Sequence, residues 1–223
     1  MSRVLFRHIA DMSNPHSLLN RVRRRRIAFF LALLEQLPRP LRILDVGGTQ
    51  YFWHTMRFSP DDQLEITVLN TAPLPMQMPR IQIVVGNGCQ MGMFPDKTFD
   101  VVFCNSVIEH VASYKNQQAM SEEIKRVGKR YFVQTPNRSF PIEPHFLFPF
   151  FQFLPIWARA WLLQHFSLGW YQRIPNYEEA RQEASAIRLL SKREMISLFP
   201  EANLQQEKIL GYTSSWIAYF GWE

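Results

Sequence analysis

Four short apolar runs end on residues able to hold a polar ligand: Asp45-Val46-Gly47-Gly48, Asn70, Asn87-Gly88-Cys89 and Asn105-Ser106. Glycine at 47 and 48 lets the backbone come close to a ligand, where a Cβ would stand in the way. Asp45 can accept a hydrogen bond from that ligand or pin the loop behind it. The stretch RILDVGGTQYFW, residues 42–53, looks like a strand entering a glycine-rich turn of the kind that holds nucleotide-like ligands. It does not meet the dinucleotide pattern G-x-G-x-x-G, because the glycines are adjacent and Thr49, Tyr51 and Phe52 occupy the later places. A nicotinamide-dependent dehydrogenase is disfavoured on that spacing.

The elements that must position these residues are legible as runs of apolar, β-branched character. LRILDV (41–46), EITVLN (65–70), IQIVVGN (81–87), FDVVFCN (99–105) and RYFVQTP (130–136) read as strands buried on both faces, as parallel sheets require. SYKNQQAMSEEIKRVGK reads as an amphipathic helix with Gly128 as its C-cap. TAPLPMQMPR (71–80) is too rich in proline for a helix, so that crossover is expected to be abbreviated. Near the end, LLSKREMISLFPEA carries Ser191 and Glu194 in capping-box spacing, and LQQEKILGYTSSWIAYFGWE supplies an antiparallel pair of strands. The expected fold is α/β: a doubly wound, mostly parallel seven-stranded sheet with an antiparallel last strand and a helical, aromatic-rich insertion. In such a sheet ligands bind beyond the carboxyl ends of the strands, which is where the four polar endings fall.

Two segments lie outside this alternation. A helix is expected from near Ser17 to Pro38, with Leu18, Leu19, Val22, Ile27, Phe30, Leu31 and Leu34 as its apolar stripe and the run RVRRRR mainly off it. That run is a solvated face or a contact for an anionic ligand, a lipid headgroup or nucleic acid; no aromatic residue interleaves it, which weakens the last. Residues 140–171 are dominated by aromatics and leucines, but Pro149, Gln152, Pro155 and Arg159 argue against a membrane span. The segment is expected to form short helices over the carboxyl edge of the sheet, as a lid over an apolar substrate, an interfacial membrane contact, or a hairpin completing the core. The chain is expected to be one domain over 1–223, with an N-terminal basic helical segment over 1–40 and the insertion over 138–190.

The length of 223 residues allows a core without covalent staples. Cys89 and Cys104 are the only cysteines and have no metal-type spacing, so neither a disulfide framework nor a metal is expected, and a reducing cytoplasm is the simplest home. The first residues, MSRVLFRHIADMSNPHS, lack the apolar run and cleavage site of a signal peptide. A formal net charge of +6 is compatible with an anionic partner and says nothing of fold.

ILDVGG (43–48), VVGNG (84–88) and FPDKTFDVVFCNSVIEHV (94–111) together resemble the class I S-adenosylmethionine-dependent methyltransferases, in the group that acts on small molecules, quinones and lipid precursors. VQTPNRSFPIEPH (133–145) and the basic helix are similar to a bacterial subgroup. The resemblance implies S-adenosylmethionine as cofactor, with Asp45, Gly47 and Gly48 in the loop that cradles its methionine part. Asn70 would meet the ribose hydroxyls where an acidic residue is usual, and an amide can pair there without the strength of a charge. Asn87 would receive the adenine amino group, Gly88 and Cys89 would flank the ring, and Asn105 and Ser106 would line the reactive methyl. Thr49 replaces the family's second glycine; threonine is poor at positive φ, so the loop uses Gly48 for that conformation or opens differently.

Methyl transfer asks mainly for alignment of the acceptor. For a hydroxyl acceptor, His110 or His145 is the candidate general base, oriented by Glu109 or Glu143. The plainer readings are that Glu109 and His110 cap the next helix and that His145 packs in the aromatic segment. Nucleic-acid methylation is disfavoured: the turn after the fourth strand, CNSVIEH, lacks the Asn/Asp-Pro-Pro-aromatic grip for planar amines, and no cysteine follows a proline. The expected activity is methylation of an apolar or amphipathic small molecule by a cytoplasmic protein, with a peripheral membrane contact left open. The alternative is a non-catalytic module on the same fold that binds a membrane or protein partner.

Overall fold

The computed structural model describes residues 18–49, 52–53, 62–75 and 81–222. Helix α1 (Leu18–Glu35) precedes strands β1 (Leu41–Val46), β2 (Leu64–Asn70), β3 (Ile81–Val85) and β4 (Phe99–Asn105). A 3-10 turn, Ile108–His110, leads to α2 (Tyr114–Val127), which runs directly into β5 (Gly128–Pro136). The insertion holds a two-stranded ribbon, β6 (Ile142–Glu143) and β7 (Phe148–Pro149), a 3-10 turn (Phe151–Phe153), α3 (Ile156–His165) and α4 (Tyr177–Ala186). Helix α5 (Lys192–Leu198) and strands β8 (Asn203–Ile209) and β9 (Tyr212–Phe220) complete the chain. The expected start of α1 at Ser17 lies outside the described residues, as does residue range 76–80 of the β2–β3 connection; residues 71–75 form no helix.

The main sheet has the order β3-β2-β1-β4-β5-β9-β8. Pairing is parallel from β3 through β5, and β9 runs antiparallel to both β5 and β8. This is the doubly wound, mostly parallel seven-stranded sheet expected from the sequence, with β9 as its reversed strand. Alternate residues of a strand face opposite sides, and here both sides are covered. Leu44, Val102 and Cys104 pack with Met120, Ile124 and Leu198 from α2 and α5; Ile43, Val101 and Phe103 pack with Phe30, Leu34 and Trp53 on the other face. Burial on both faces is incomplete at β3, whose central residues Ile83 and Val84 are only half-buried because β3 is an edge strand.

Gly128 closes α2, but not by a left-handed turn. Its φ is −98°, and its N–H donates to the Ile124 carbonyl. A Cβ at this position would come within 2.6 Å of Val102 and 2.8 Å of the Arg130 carbonyl, so the residue is small because α2 turns into β5 with no intervening loop. The expected capping box on α5 is present, with Ser191 and Glu194 each bonding the other's backbone N–H.

The insertion has its own core, in which Phe146, Phe151, Leu163, Leu168, Ala180 and Ala184 pack together. The polar residues that make it unsuitable as a span fold it back on itself. Gln152 is buried, and its Nε2 donates to the carbonyls of Arg138 (3.0 Å) and Phe140 (2.7 Å). Arg159 donates to the carbonyls of Leu154 and Gln152, at 2.8 Å each. Among the described residues, no helix is long and apolar enough to cross a membrane. The outer side of this segment nevertheless leaves Phe150, Phe153, Trp157, Trp161 and Trp170 exposed, Trp157 by 67%.

Candidate active site

The loop after β1 is held from below. Asp45 is buried, and its Oδ2 accepts a hydrogen bond from Nε1 of Trp53 at 2.6 Å. Burial pushes its carboxyl pKa up to about 7, with the Trp53 hydrogen bond offsetting part of the rise. A Cβ on Gly48 would fall 1.8 Å from Asp45 Oδ2, so the loop lies directly on that carboxylate. Of the two roles open to Asp45, the structure shows the pin. The left-handed conformation falls on Gly47, at φ +73°, where a Cβ would also meet Val107 at 2.4 Å. Of the two alternatives, that Gly48 takes this conformation in place of Thr49 or that the loop opens differently, the first does not hold: Gly48 is required by the closeness of Asp45, and neither it nor Thr49 has a positive φ. The loop is anchored to β2 twice, by Gly47 N–H on the Leu69 carbonyl (2.7 Å) and by Asn70 Nδ2 on the Gly48 carbonyl (3.1 Å).

A cleft of about 390 Å³ opens beyond the strand ends, lined by Gly47, Asn70, Asn87, Gly88, Ser106 and His110 together with apolar neighbours such as Met120. These residues come from β1, β2, the turn after β3, and β4 with its following turn, so the sheet gathers onto one site what the sequence scatters over more than 60 positions. Gly88 has no room for a side chain, a Cβ there lying 2.7 Å from Met120 and 2.9 Å from Val46. Asn87 Oδ1, the carbonyl expected to receive an adenine amino group, accepts the Cys89 N–H at 2.9 Å and closes the turn. Ser106 sits at φ +56°, with its hydroxyl on Gln134 Oε1 at 2.8 Å.

Four of the expected binding residues do not line this cleft: Asp45 and Gly48 for the reasons above, and Cys89 and Asn105. The Cys89 thiol donates to the Asn116 carbonyl at 3.3 Å, so it braces α2 against the turn; burial pushes its pKa up. Asn105 Oδ1 is taken by Arg26, whose Nη1 donates to it and to Gln134 Oε1, at 2.8 Å each. Arg26 also grips Glu207 with both ends of its guanidinium and is 11% exposed in its side chain. One arginine of the basic run is therefore a structural part of the sheet's carboxyl edge, where the sequence suggested a face turned to solvent.

Beside the cleft, the insertion meets the turn after β4. His110 and His145 lie edge-on, ring centroids 4.9 Å apart. His145 Nδ1 is 2.7 Å from Glu143 Oε1, while Glu143 Oε2 accepts the backbone N–H groups of His145 and Phe146. That pairing fixes the ring and turns Nε2 toward Glu109 Oε1, 4.0 Å away. Glu109 is fully buried; its Oε2 accepts from Thr135 Oγ1 at 2.9 Å. Burial raises the Glu109 pKa, against the lowering by His145 and Thr135. Burial works against the His145 cation, but Glu143 by hydrogen bond and charge, with Glu109 behind it, outweighs burial and raises its pKa. His110 shows the opposite result: although its outer edge is exposed, desolvation and the neighbouring His145 push it down to about 4, so it is neutral at pH 7.

The junction is locked by residues that sequence patterns did not single out. Buried Gln117 on α2 donates to the carbonyls of Ile108 and Arg188, and its own carbonyl accepts from Arg188. The Arg188 N–H donates to the Glu109 carbonyl at 2.8 Å. Neither Gln117, Arg188, Thr135 nor Arg26 carries a local signal, because each acts on a partner dozens of residues away.

The donor set of the cleft suits a ligand that combines an amino acid with a nucleoside. Gly47 and Gly88 give close backbone approach without a Cβ, and Asn70 and Asn87 place side-chain amides, already tied to the loops that carry them, on the cleft wall. A family model described as a methyltransferase domain matches residues 59–131, a minority of the chain. Among solved structures, the Burkholderia thailandensis 1,6-didemethyltoxoflavin-N1-methyltransferase, bound to 1,6-didemethyltoxoflavin and S-adenosylhomocysteine, aligns with TM-score 0.51 and 12% identity over 85% of this chain and 74% of that one. The CurJ carbon methyltransferase aligns with TM-score 0.51 and 13% identity over 85% of this chain and 51% of that one. A Rhodobacter sphaeroides protein that goes under the name of a Zn-dependent alcohol dehydrogenase aligns equally well, with TM-score 0.51 and 11% identity over 86% and 87%. At such identities these likenesses speak for the fold alone. No curated protein is similar enough in sequence to count as a match.

Proposed function

We propose that this chain, a class I S-adenosylmethionine-dependent methyltransferase domain, transfers a methyl group to an apolar or amphipathic small-molecule acceptor by in-line displacement. S-adenosylmethionine, when bound, supplies a methyl group activated by a positively charged sulfur. Gly47, Asn70, Asn87, Gly88 and Ser106 are the residues suited to hold it, since they line the cleft at the carboxyl ends of the strands. Asp45 acts on it indirectly, by fixing the loop through Trp53 and Gly48. The protein's contribution to rate is alignment of the acceptor and exclusion of water, which together supply much of the acceleration in a displacement of this kind. Where the acceptor is a hydroxyl and no metal ion is bound, His110, held in its neutral form by desolvation and lining the cleft, is placed to take the proton.

The observation that carries the acceptor class is the contact of His145 with His110. It sets the insertion, whose exposed aromatic residues include Phe150, Phe153, Trp157, Trp161, Phe166 and Trp170, against a residue that lines the cleft. Tryptophans with one apolar and one polar edge suit a boundary between water and lipid. We accordingly infer a cytoplasmic protein that meets a membrane surface through this face and takes its acceptor there. Incubation with radiolabelled S-adenosylmethionine and a fractionated cell extract tests the reading. Label is expected in the organic-solvent phase; label confined to protein, nucleic acid or small polar solutes overturns it.

A further inference from the structure

Glu109 presents an unusual deficit. It is wholly buried, one carboxylate oxygen is satisfied by Thr135, and the other, Oε1, has no hydrogen-bond partner. A carboxylate oxygen shut away from water without a donor is costly, and such an atom needs a reason. His145 Nε2 lies 4.0 Å from it, and one nitrogen each of His110 and His145 lies, with a Glu109 oxygen, inside a set whose members are all within 4.8 Å of one another.

We propose that Glu109, His110 and His145 form a binding site for a divalent transition-metal ion of the zinc, cobalt or iron type. Two imidazoles and a carboxylate suit such ions, whereas calcium and magnesium take oxygen ligands. Metal–nitrogen and metal–oxygen bonds of about 2.0–2.2 Å in a tetrahedral site put neighbouring ligand atoms roughly 3.3 Å apart. The 4.0 Å between His145 Nε2 and Glu109 Oε1 is longer than that, so a bound ion would draw the ligands together.

The surroundings of His145 match what a metal-bound histidine needs. A ligating imidazole almost always gives its other nitrogen to a carboxylate or carbonyl, which fixes its tautomer. His145 does so to Glu143, itself held by two backbone N–H groups. Thr135 does the same for the second oxygen of Glu109. A divalent cation would balance the two buried carboxylates, Glu109 and Glu143, where the insertion meets the cleft. Three protein ligands leave a coordination position open, and His110 lines the cleft, so that position would face an oxygen or nitrogen of a bound small molecule. The site stands on geometry that is independent of the methyltransferase reading.

The test is cobalt titration of the full chain after treatment with a chelator, followed by visible absorption and calorimetry. One Co²⁺ per chain with a d–d band is expected, displaced by Zn²⁺. His145→Ala should abolish the band. Glu143→Gln, which touches no metal, should weaken binding by about 10–100-fold while keeping the band shape. Glu109→Gln separates the proposal from a purely structural cluster: it should lose cobalt while the metal-free protein unfolds at no lower temperature, since a buried charge has been removed. Absence of a cobalt band in the parent protein, or retention of the band in both Glu109→Gln and His145→Ala, would overturn the proposal. Loss of S-adenosylhomocysteine binding with the cobalt site intact would count against the methyltransferase reading and leave this one standing.

Discussion

Arg26 and Glu207, 181 residues apart in sequence, form a two-point pair: Nε to Oε1 at 2.9 Å and Nη2 to Oε2 at 2.6 Å. Glu207 also accepts from the Ser215 hydroxyl, and Arg26 reaches Asn105 and Gln134 at the ends of β4 and β5. The pair clasps α1 to the carboxyl edge of the sheet, next to Ser106 of the cleft.

Removing one member of a buried pair leaves the other charge uncompensated, at about 3–5 kcal/mol. Arg26→Ala is therefore expected to lower unfolding stability by that order, whereas Arg24→Ala and Arg25→Ala, at exposed positions, should change it by less than about 0.5 kcal/mol. Urea unfolding of the three variants checks this; equal effects would mean that the clasp does not hold in solution.

Asp45 gives the pH dependence. Its pKa rises from 3.8 to about 7 on folding, so between those values the native state binds more protons than the unfolded chain. Its contribution is full below about pH 4 and is lost as pH rises toward 7, a total of about 4 kcal/mol as an upper figure. Asp45→Asn keeps a carbonyl for Trp53 and removes the titration. The variant should melt higher than the parent at pH 8 and show a flatter melting profile between pH 5 and 8; an unchanged profile would contradict the burial of the charge.

Gly48→Ala drives a Cβ into the Asp45 carboxylate, at 1.8 Å. Over-packing of this kind typically costs about 1–3 kcal/mol and shifts the backbone, here the backbone of the loop. Cofactor affinity should fall with stability, and the double variant Asp45→Ala, Gly48→Ala should recover more than the two single losses predict. Strict additivity in a double-mutant cycle would show that the two residues are not in contact.

Trp157 and Trp161 are 67% and 49% exposed, so replacing both by serine should leave the melting temperature within a degree or two of the parent. If the face meets a membrane, the double variant should lose sedimentation with lipid vesicles. Unaltered sedimentation would remove this face from the contact.

The strands were legible because each carries apolar residues on both faces within a run of five to nine, and the turn residues at their carboxyl ends mark one edge of a parallel sheet. Two-residue patterns such as Ser191 and Glu194 were legible for the same reason: the partners are close in sequence. Arg26 was not, because a charge within a run of charges reads as solvent-facing until its partner, far along the chain, is known. The role of Gly47 against Gly48 was likewise hidden, since the position of Asp45 beneath the loop decides which glycine needs the positive φ and which needs the missing Cβ. Glu143 and His145 are adjacent enough to suggest a pair, but their approach to Glu109 depends on the insertion folding onto the turn after β4.

Isothermal titration with S-adenosylhomocysteine, on the parent protein and on Gly48→Ala, tests the central claim most directly. One-site binding by the parent, accompanied by a rise in melting temperature and weakened in the variant, is the predicted result. No heat and no thermal stabilisation of the parent at millimolar ligand would contradict the assignment of the cleft.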